Sequence, residues 1–185
     1  MKVLALSGSL RAASINSMLL RAMARLAPAG ISVSVFQGLG ELPLFNPDRE
    51  ADCPARVAEF QRLVAESDAL IIASPEYAHG VSGTIKNALD WLVGFEAFAS
   101  KAVAVLNASP RAHHADSALR ETLRTMAANI VESASISIPL LGANLSESAM
   151  MATPSVVSAI RESLEALRQG VKSLQPGSLP TFSIR

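Results

Sequence analysis

With 185 residues, half of them apolar, the chain is long enough for one domain with a core of its own. Its 16 basic and 16 acidic residues cancel, so no basic stripe points to nucleic acid and no polybasic segment points to a membrane surface. Apolar runs such as Ala69 to Ala73 fall far short of the roughly 20 residues that cross a bilayer. No apolar targeting segment is read at the N-terminus, and the single cysteine, Cys53, excludes an intramolecular disulfide, so a reducing compartment, the cytoplasm, is the expected location.

In chain order, short apolar runs alternate with longer amphipathic ones. Lys2 to Ser7 reads as a buried strand, and Ser14 to Leu26 as a helix with Met18, Leu19, Ala22, Met23 and Leu26 at helical spacing. Ile31 to Phe36 is a second strand, residues 37–53 a long loop, and Pro54 opens a helix running to Ser67. Asp68 to Ser74 is a fully buried strand, followed by a helix over Gly83 to Leu92. The fourth strand is Lys101 to Asn107, the next helix Asp116 to Asn129, and the fifth strand Val131 to Ile138. Residues 139–152 read as a loop and Pro154 to Leu174 as the last helix, so residues 1–175 form the domain and 176–185 an irregular tail.

This alternation predicts an α/β fold: a doubly wound, five-stranded parallel sheet with helices on both faces. With right-handed crossovers the expected strand order is 2-1-3-4-5, the flavodoxin-like arrangement. A closed eight-fold barrel is excluded because it needs about 250 residues. The predicted order directs attention to the loops after strands 1, 3 and 4, since ligands of open α/β sheets sit outside the C-terminal strand ends at the switch point.

The first of these loops, Ser7 to Ser17, brings four hydroxyls, one amide, one guanidinium and one glycine to a helix start. Unpaired helix N–H groups, a positive dipole end and hydroxyl donors together suit a phosphate, and Arg11 adds charge-assisted bonds. The loop has neither G-x-G-x-x-G nor Gly-Lys-Ser/Thr, so a terminal monophosphate fits better than a pyrophosphate, and FMN better than FAD or a nucleoside triphosphate. Read from the residues alone, the competing account is that Ser14 caps the helix and the other polar groups face water.

The loop after strand 3, Pro75 to Gly83, carries the chain's only tyrosine and is followed by its only tryptophan, Trp91. Glycines on one side and an aromatic on the other suit a flat heterocycle that needs donors at its edge and an apolar face. Tyr77 reads either as that platform or as an aromatic packed on the protein. Trp91 reads as core, Lys86 and Asp90 as a solvated i,i+4 pair, and His79 either as facing the pocket or as an exposed loop histidine.

G-S-L-R-x-x-S-x-N at residues 8–16, with S-P-E-Y at 74–77 and G-x-x-K-N-A-L-D-W at 83–91, resembles the NADPH-dependent FMN reductase family. The resemblance implies a flavodoxin-like fold and relatives that reduce quinones, azo dyes or chromate. It implies FMN as cofactor, with Ser9, Arg11, Ser14, Asn16 and Ser17 on its phosphate and Pro75, Glu76, Tyr77 and Ala78 along the isoalloxazine. NADPH or NADH is the co-substrate, a small molecule the electron acceptor, and the assembly a homodimer or homotetramer. No catalytic side chain is expected, because the chemistry belongs to the cofactor. Ser82 stands where the family usually has Pro, which predicts a looser turn.

The loop after strand 4, Asn107 to His114, departs further: many family members have a glycine-rich stretch there. His79, Ser109 and Arg111 are counted with the cofactor-binding candidates. Arg111, His113 or His114 reads as lying near the flavin carbonyl edge, as recognising the nicotinamide's phosphate, as recognising an acidic acceptor, or as part of a surface loop. No spacing suits a metal and no G-x-S-x-G elbow suggests a hydrolase. The alternative function is a flavodoxin-like FMN-binding electron carrier without nicotinamide activity, against which the neutral, aromatic-poor composition speaks.

Overall fold

The structure is a computed structural model that describes residues 1–109, 111–138 and 145–174. Five parallel strands form its main sheet: β1 (Lys2–Ser7), β2 (Ser32–Val35), β3 (Ala69–Ala73), β6 (Ala102–Leu106) and β7 (Asn129–Ile130), in the order β2-β1-β3-β6-β7. Counting these strands alone, that is the expected 2-1-3-4-5. Between β3 and β6, β4 (Glu76–Tyr77) and β5 (Gly80–Val81) make a separate antiparallel hairpin. The helices are α1 (Ile15–Leu26), α2 (Ala55–Glu66), α3 (Gly83–Asp90), α4 (His113–Thr125), α5 (Glu147–Ala152) and α6 (Pro154–Leu174).

Strand composition follows from burial on both faces. β3 and β6 are buried at every residue, and β1 at every residue after Lys2, so they read as continuous apolar runs. Alternate residues serve different cores. Val3, Ala5, Ala69, Ala73 and Ala104 face α1 and α6, where small side chains let the helices settle close to the sheet. Leu4, Leu6, Leu70, Ile72 and Val105 form the opposite core with Phe60 of α2, Leu89 of α3 and Leu123 of α4. Among the described residues no helix is long and apolar enough to cross a membrane.

The last expected strand needs correction. Only Asn129 and Ile130 pair as β7, and after Val131 the chain leaves the sheet in a 3₁₀ turn over Glu132–Ala134. The Ser135 hydroxyl accepts the Val105 N–H (3.0 Å) in place of a backbone carbonyl, and pairing resumes where Asn107 bridges Ser137. Buried Ser163 of α6 donates to the Ala134 carbonyl (2.6 Å), tying this excursion down. Periodicity could not show it, because the exception is made by hydroxyls. Part of the expected loop 139–152 is also helical: Ser146 caps α5 by accepting the Ala149 N–H, and Arg21 and Arg25 both pair with Glu147. Residues 139–144 lie outside the described residues. α4 starts at His113, ahead of the expected Asp116, and stops where Ala127 turns left-handed (φ 58°). The proposed tail at 176–185 also lies outside the described residues.

Pairing of Ser7 with Ala73, and of Ala73 with Leu106, ends the three central strands in one row. Gly8 follows immediately, its N–H donating to the Ala73 carbonyl (2.8 Å). A Cβ on Gly8 would stand 2.7 Å from the hydroxyls of Ser74 and Ser82 and 2.8 Å from Ile85. We predict that Gly8→Ala, by overfilling this contact and displacing the Ser82 hydroxyl that caps α3, costs about 1–3 kcal/mol and lowers Tm by several degrees. Thermal unfolding checks this, and an unchanged Tm contradicts it.

Candidate functional site

The loops after β1, β3 and β6 enclose a cleft of about 680 Å³ at the C-terminal edge of the sheet. Of the residues expected there, Ser9, Arg11, Ser14, Asn16, Pro75, Glu76, Tyr77, Ser109 and Arg111 line it. Ser17, Ala78 and His79 are not on the lining. The cleft also takes Leu145 and Ser146, just ahead of α5, which carry no sequence motif that marks them for a site. The signal available was a serine before an acidic first turn, which marks a helix start.

One wall is the start of α1. Ser14, buried and extended (φ −73°, ψ 125°), caps the helix by accepting the Ser17 N–H at 3.3 Å, and a turn closed by Ser14 N–H to the Arg11 carbonyl (3.1 Å) precedes it. The Ser17 hydroxyl bonds that of Ser7 (2.7 Å), fixing the loop to the strand end. The N–H groups of Ile15 and Asn16 lie in the first turn, ahead of the first i→i−4 carbonyl that α1 itself supplies. No acidic residue occupies that turn. Asn16 is 5% exposed, and its Oδ1 has no hydrogen-bond partner among the described residues.

The second wall is the β4–β5 hairpin. Its two-residue loop, Ala78-His79, has φ of 48° and 60°, so both central residues are left-handed, as a type I′ turn requires. For side chains other than glycine this conformation costs roughly 1–2 kcal/mol per residue. The hairpin exposes Tyr77 (60%) at the cleft. The Glu76 carboxylate accepts the Ala115 N–H of α4 at 2.8 Å, and its other oxygen lies 3.3 Å from His79 Nδ1. That backbone donor, with His114 and His79 adding attraction, holds the carboxyl below its usual pKa against the opposing effect of burial. The carboxylate's contribution is therefore present throughout the neutral range and is lost only as pH falls through the lowered value. Ser82 is buried and caps α3, accepting the Ile85 N–H at 3.4 Å while receiving the Ser74 hydroxyl, so the turn expected to be loose is hydroxyl-bonded instead.

The third wall is the loop after β6. Asn107 pins it, its Oδ1 accepting the Ser109 N–H (2.9 Å) and its Nδ2 donating to the Ala112 carbonyl (3.2 Å). Arg111 lines the cleft from this loop. Arg21, Arg25, Arg56 and Arg120 are ion-paired, whereas Arg11 and Arg111 have no carboxylate partner among the described residues. The cleft thus presents two uncompensated guanidiniums. His113 and His114 stand at the N-terminus of α4 with ring centroids 4.1 Å apart, and His114 meets His79 edge-on at 4.3 Å. Trp91 is core, donating from Nε1 to the Pro43 carbonyl (2.8 Å), and Lys86 pairs with Asp90 on the surface of α3.

The profile of the family described as NADPH-dependent FMN reductase matches residues 1–140. A 2-hydroxy-1,4-benzoquinone reductase of Burkholderia sp. is 41% identical over 91 residues, covering 49% of each chain. An NAD(P)H-dependent FMN reductase of Pseudomonas aeruginosa is 40% identical over 111 residues, covering 58% of this chain and 60% of that one. The chain thus spans about half the length of the curated relatives it matches. Among solved structures, the flavoenzyme NAD(P)H:(acceptor) oxidoreductase FerB of Paracoccus denitrificans superposes with a TM-score of 0.73 at 23% identity, over 91% of this chain and 97% of that one. That likeness extends the shared fold to almost the whole chain. On the match over residues 1–140, the chain belongs to the NADPH-dependent FMN reductase family.

Proposed function

We propose that the protein is an FMN-dependent oxidoreductase that takes hydride from NAD(P)H and delivers electrons to a small acceptor: a quinone, an azo compound, a metal oxyanion or a free flavin. The observation that carries this reading is the start of α1. There, first-turn N–H groups, the Ser9 hydroxyl, the unpaired Arg11 and the partnerless, buried amide of Asn16 converge on the cleft with no acidic residue among them. A half-turn of the Asn16 amide offers its NH₂ in place of Oδ1, so the same buried group can donate to a phosphate oxygen. A dianionic monophosphate meets these needs, and the residues present fit FMN.

In this reading Ser9, Arg11, Ser14 and Asn16 hold the phosphate, and Ser17 keeps the loop in shape through Ser7. Pro75, Tyr77 and the backbone of Glu76 form the wall for the ring, with Ala78 and His79 behind them and Ser109 and Arg111 opposite. Bound FMN supplies the two-electron chemistry, so the protein's task is to orient the reacting partners and set the local charge. Arg111 places positive charge at the cleft for the anionic phosphates of NAD(P)H or for an acidic acceptor. The quinone-reducing and flavin-reducing relatives support a quinone or a flavin as acceptor. A homodimer or homotetramer belongs to the same proposal, supported by the exposed Leu44 (83%) and Val93 (65%). So does a reducing, cytoplasmic setting, in which Cys53 stays a thiol.

Titrating the protein with FMN while following flavin fluorescence, then assaying NADPH oxidation with a quinone, tests the proposal. Saturable quenching with turnover is expected. Quenching without turnover would leave an electron carrier, and no binding contradicts the reading. Arg11→Ala removes a charge-assisted contact of about 1.5–3 kcal/mol, so the FMN Kd should rise roughly 10- to 100-fold while riboflavin affinity is unchanged. For the assembly, the double variant L44K/V93K should sediment as a monomer where the unaltered protein sediments as an oligomer.

A further inference from the structure

Although Glu76 lines the cleft, both of its carboxylate oxygens are engaged by protein: one accepts the Ala115 N–H at 2.8 Å, the other faces His79 Nδ1 at 3.3 Å. His79 in turn meets His114 edge-on at 4.3 Å, and His114 lies against His113 at 4.1 Å. Glu76 and His79 flank Tyr77 and Ala78, so both ends of the turn segment are fastened to the first turn of α4.

The hairpin has reason to need a fastener. It is closed by only two residue pairs, Glu76 with Val81 and Tyr77 with Gly80, and a hairpin so short is marginal in water. Its turn residues, Ala78 at φ 48° and His79 at φ 60°, occupy left-handed positions for which Asn-Gly is the favoured pair. Local preference therefore works against the shape that brings Tyr77 to the cleft, and a tertiary contact must offset it.

We propose that Glu76 is a positioning residue: its carboxylate, bonded to the Ala115 N–H and facing His79, clamps an unfavourable turn into the conformation that sets Tyr77 and the adjoining backbone as the flavin wall, without itself touching the cofactor. The inference rests on the FMN reading above. It assigns the histidines of α4 a structural part, as the surface against which the His79 end of the turn is seated. It also separates the two roles that the Pro-Glu-Tyr segment combines: Pro75 and Tyr77 face the ligand, and the Glu76 side chain faces α4.

The test compares the unaltered protein with Glu76→Gln, Glu76→Ala, and Glu76→Ala combined with Ala78→Asn and His79→Gly, a replacement that installs the favoured turn. FMN affinity is read by fluorescence quenching, and hydrogen exchange of the 76–81 amides is read in flavin-free protein. Glu76→Ala should weaken FMN binding about tenfold and speed exchange across the hairpin, whereas Glu76→Gln, which keeps an acceptor for Ala115, should weaken it about threefold. The Asn-Gly turn should bring both affinity and exchange back to within about threefold of the unaltered protein, because the hairpin then holds itself. Unchanged FMN affinity in Glu76→Ala overturns the proposal. Slow exchange restored by the new turn without restored affinity also overturns it, since the carboxylate would then act on the cofactor directly. If the unaltered protein binds no FMN, the cofactor reading fails, and exchange alone decides whether Glu76 clamps the turn.

Discussion

The molecule depends on the common level at which three parallel strands stop. Ser7, Ala73 and Leu106 are register partners across β1, β3 and β6, so the loops that follow leave the sheet side by side. Gly8 permits the first two to touch, because any side chain there would collide with Ser74, Ser82 and Ile85. Without that approach the start of α1 and the Tyr77 hairpin would not share one cleft. The apolar, doubly buried strands that hold this register contain no functional group themselves. Their contribution is to place backbone donors, hydroxyls and guanidiniums from distant parts of the chain within reach of one ligand.

What gathers at this edge is a set of groups with chemistry to offer. Several cations of the outer helices are matched: Arg21 and Arg25 share Glu147, Arg120 spans Asp116 and Glu132, and Lys86 pairs with Asp90. At the cleft Arg11 and Arg111 are unmatched, Asn16 keeps a buried polar atom without a partner, and Ala78 and His79 hold left-handed dihedrals. Unsatisfied and strained groups each cost stability, and a buried polar atom aimed into a cleft beside two unmatched cations is an arrangement a ligand would complete. Glu76 is the exception, a charged cleft residue whose two oxygens meet the Ala115 N–H of α4 and His79 of its own turn.

Much of this was legible in the sequence because it is written in periodicity. Lys2–Ser7, Ala69–Ala73 and Ala102–Leu106 announce themselves as unbroken apolar runs, and α1 by its spaced Leu and Met residues, which suffices for strand order and for the two loops that carry Arg11 and Tyr77. The misread parts are decided by single side-chain bonds. Ser135 supplying an acceptor to Val105 breaks the fifth strand after Ile130, and Ser146 with Glu147 starts a helix in a segment without helical periodicity, adding Leu145 and Ser146 to the cleft. The Ala78-His79 turn escaped notice because neither residue prefers a left-handed conformation, so tertiary contacts override local preference there. The direction of the Glu76 side chain was likewise invisible, since its partner lies 39 residues away on α4.

The central claim is that a monophosphate belongs at the start of α1, with its ring carried against the Tyr77 hairpin. A crystal structure of the protein grown with FMN tests this most directly. The account predicts phosphate oxygens within hydrogen-bond distance of Ser9, Arg11 and Asn16, with the isoalloxazine lying along Pro75 and Tyr77. Flavin bound elsewhere, or a phosphate site left to water at saturating FMN, would contradict it.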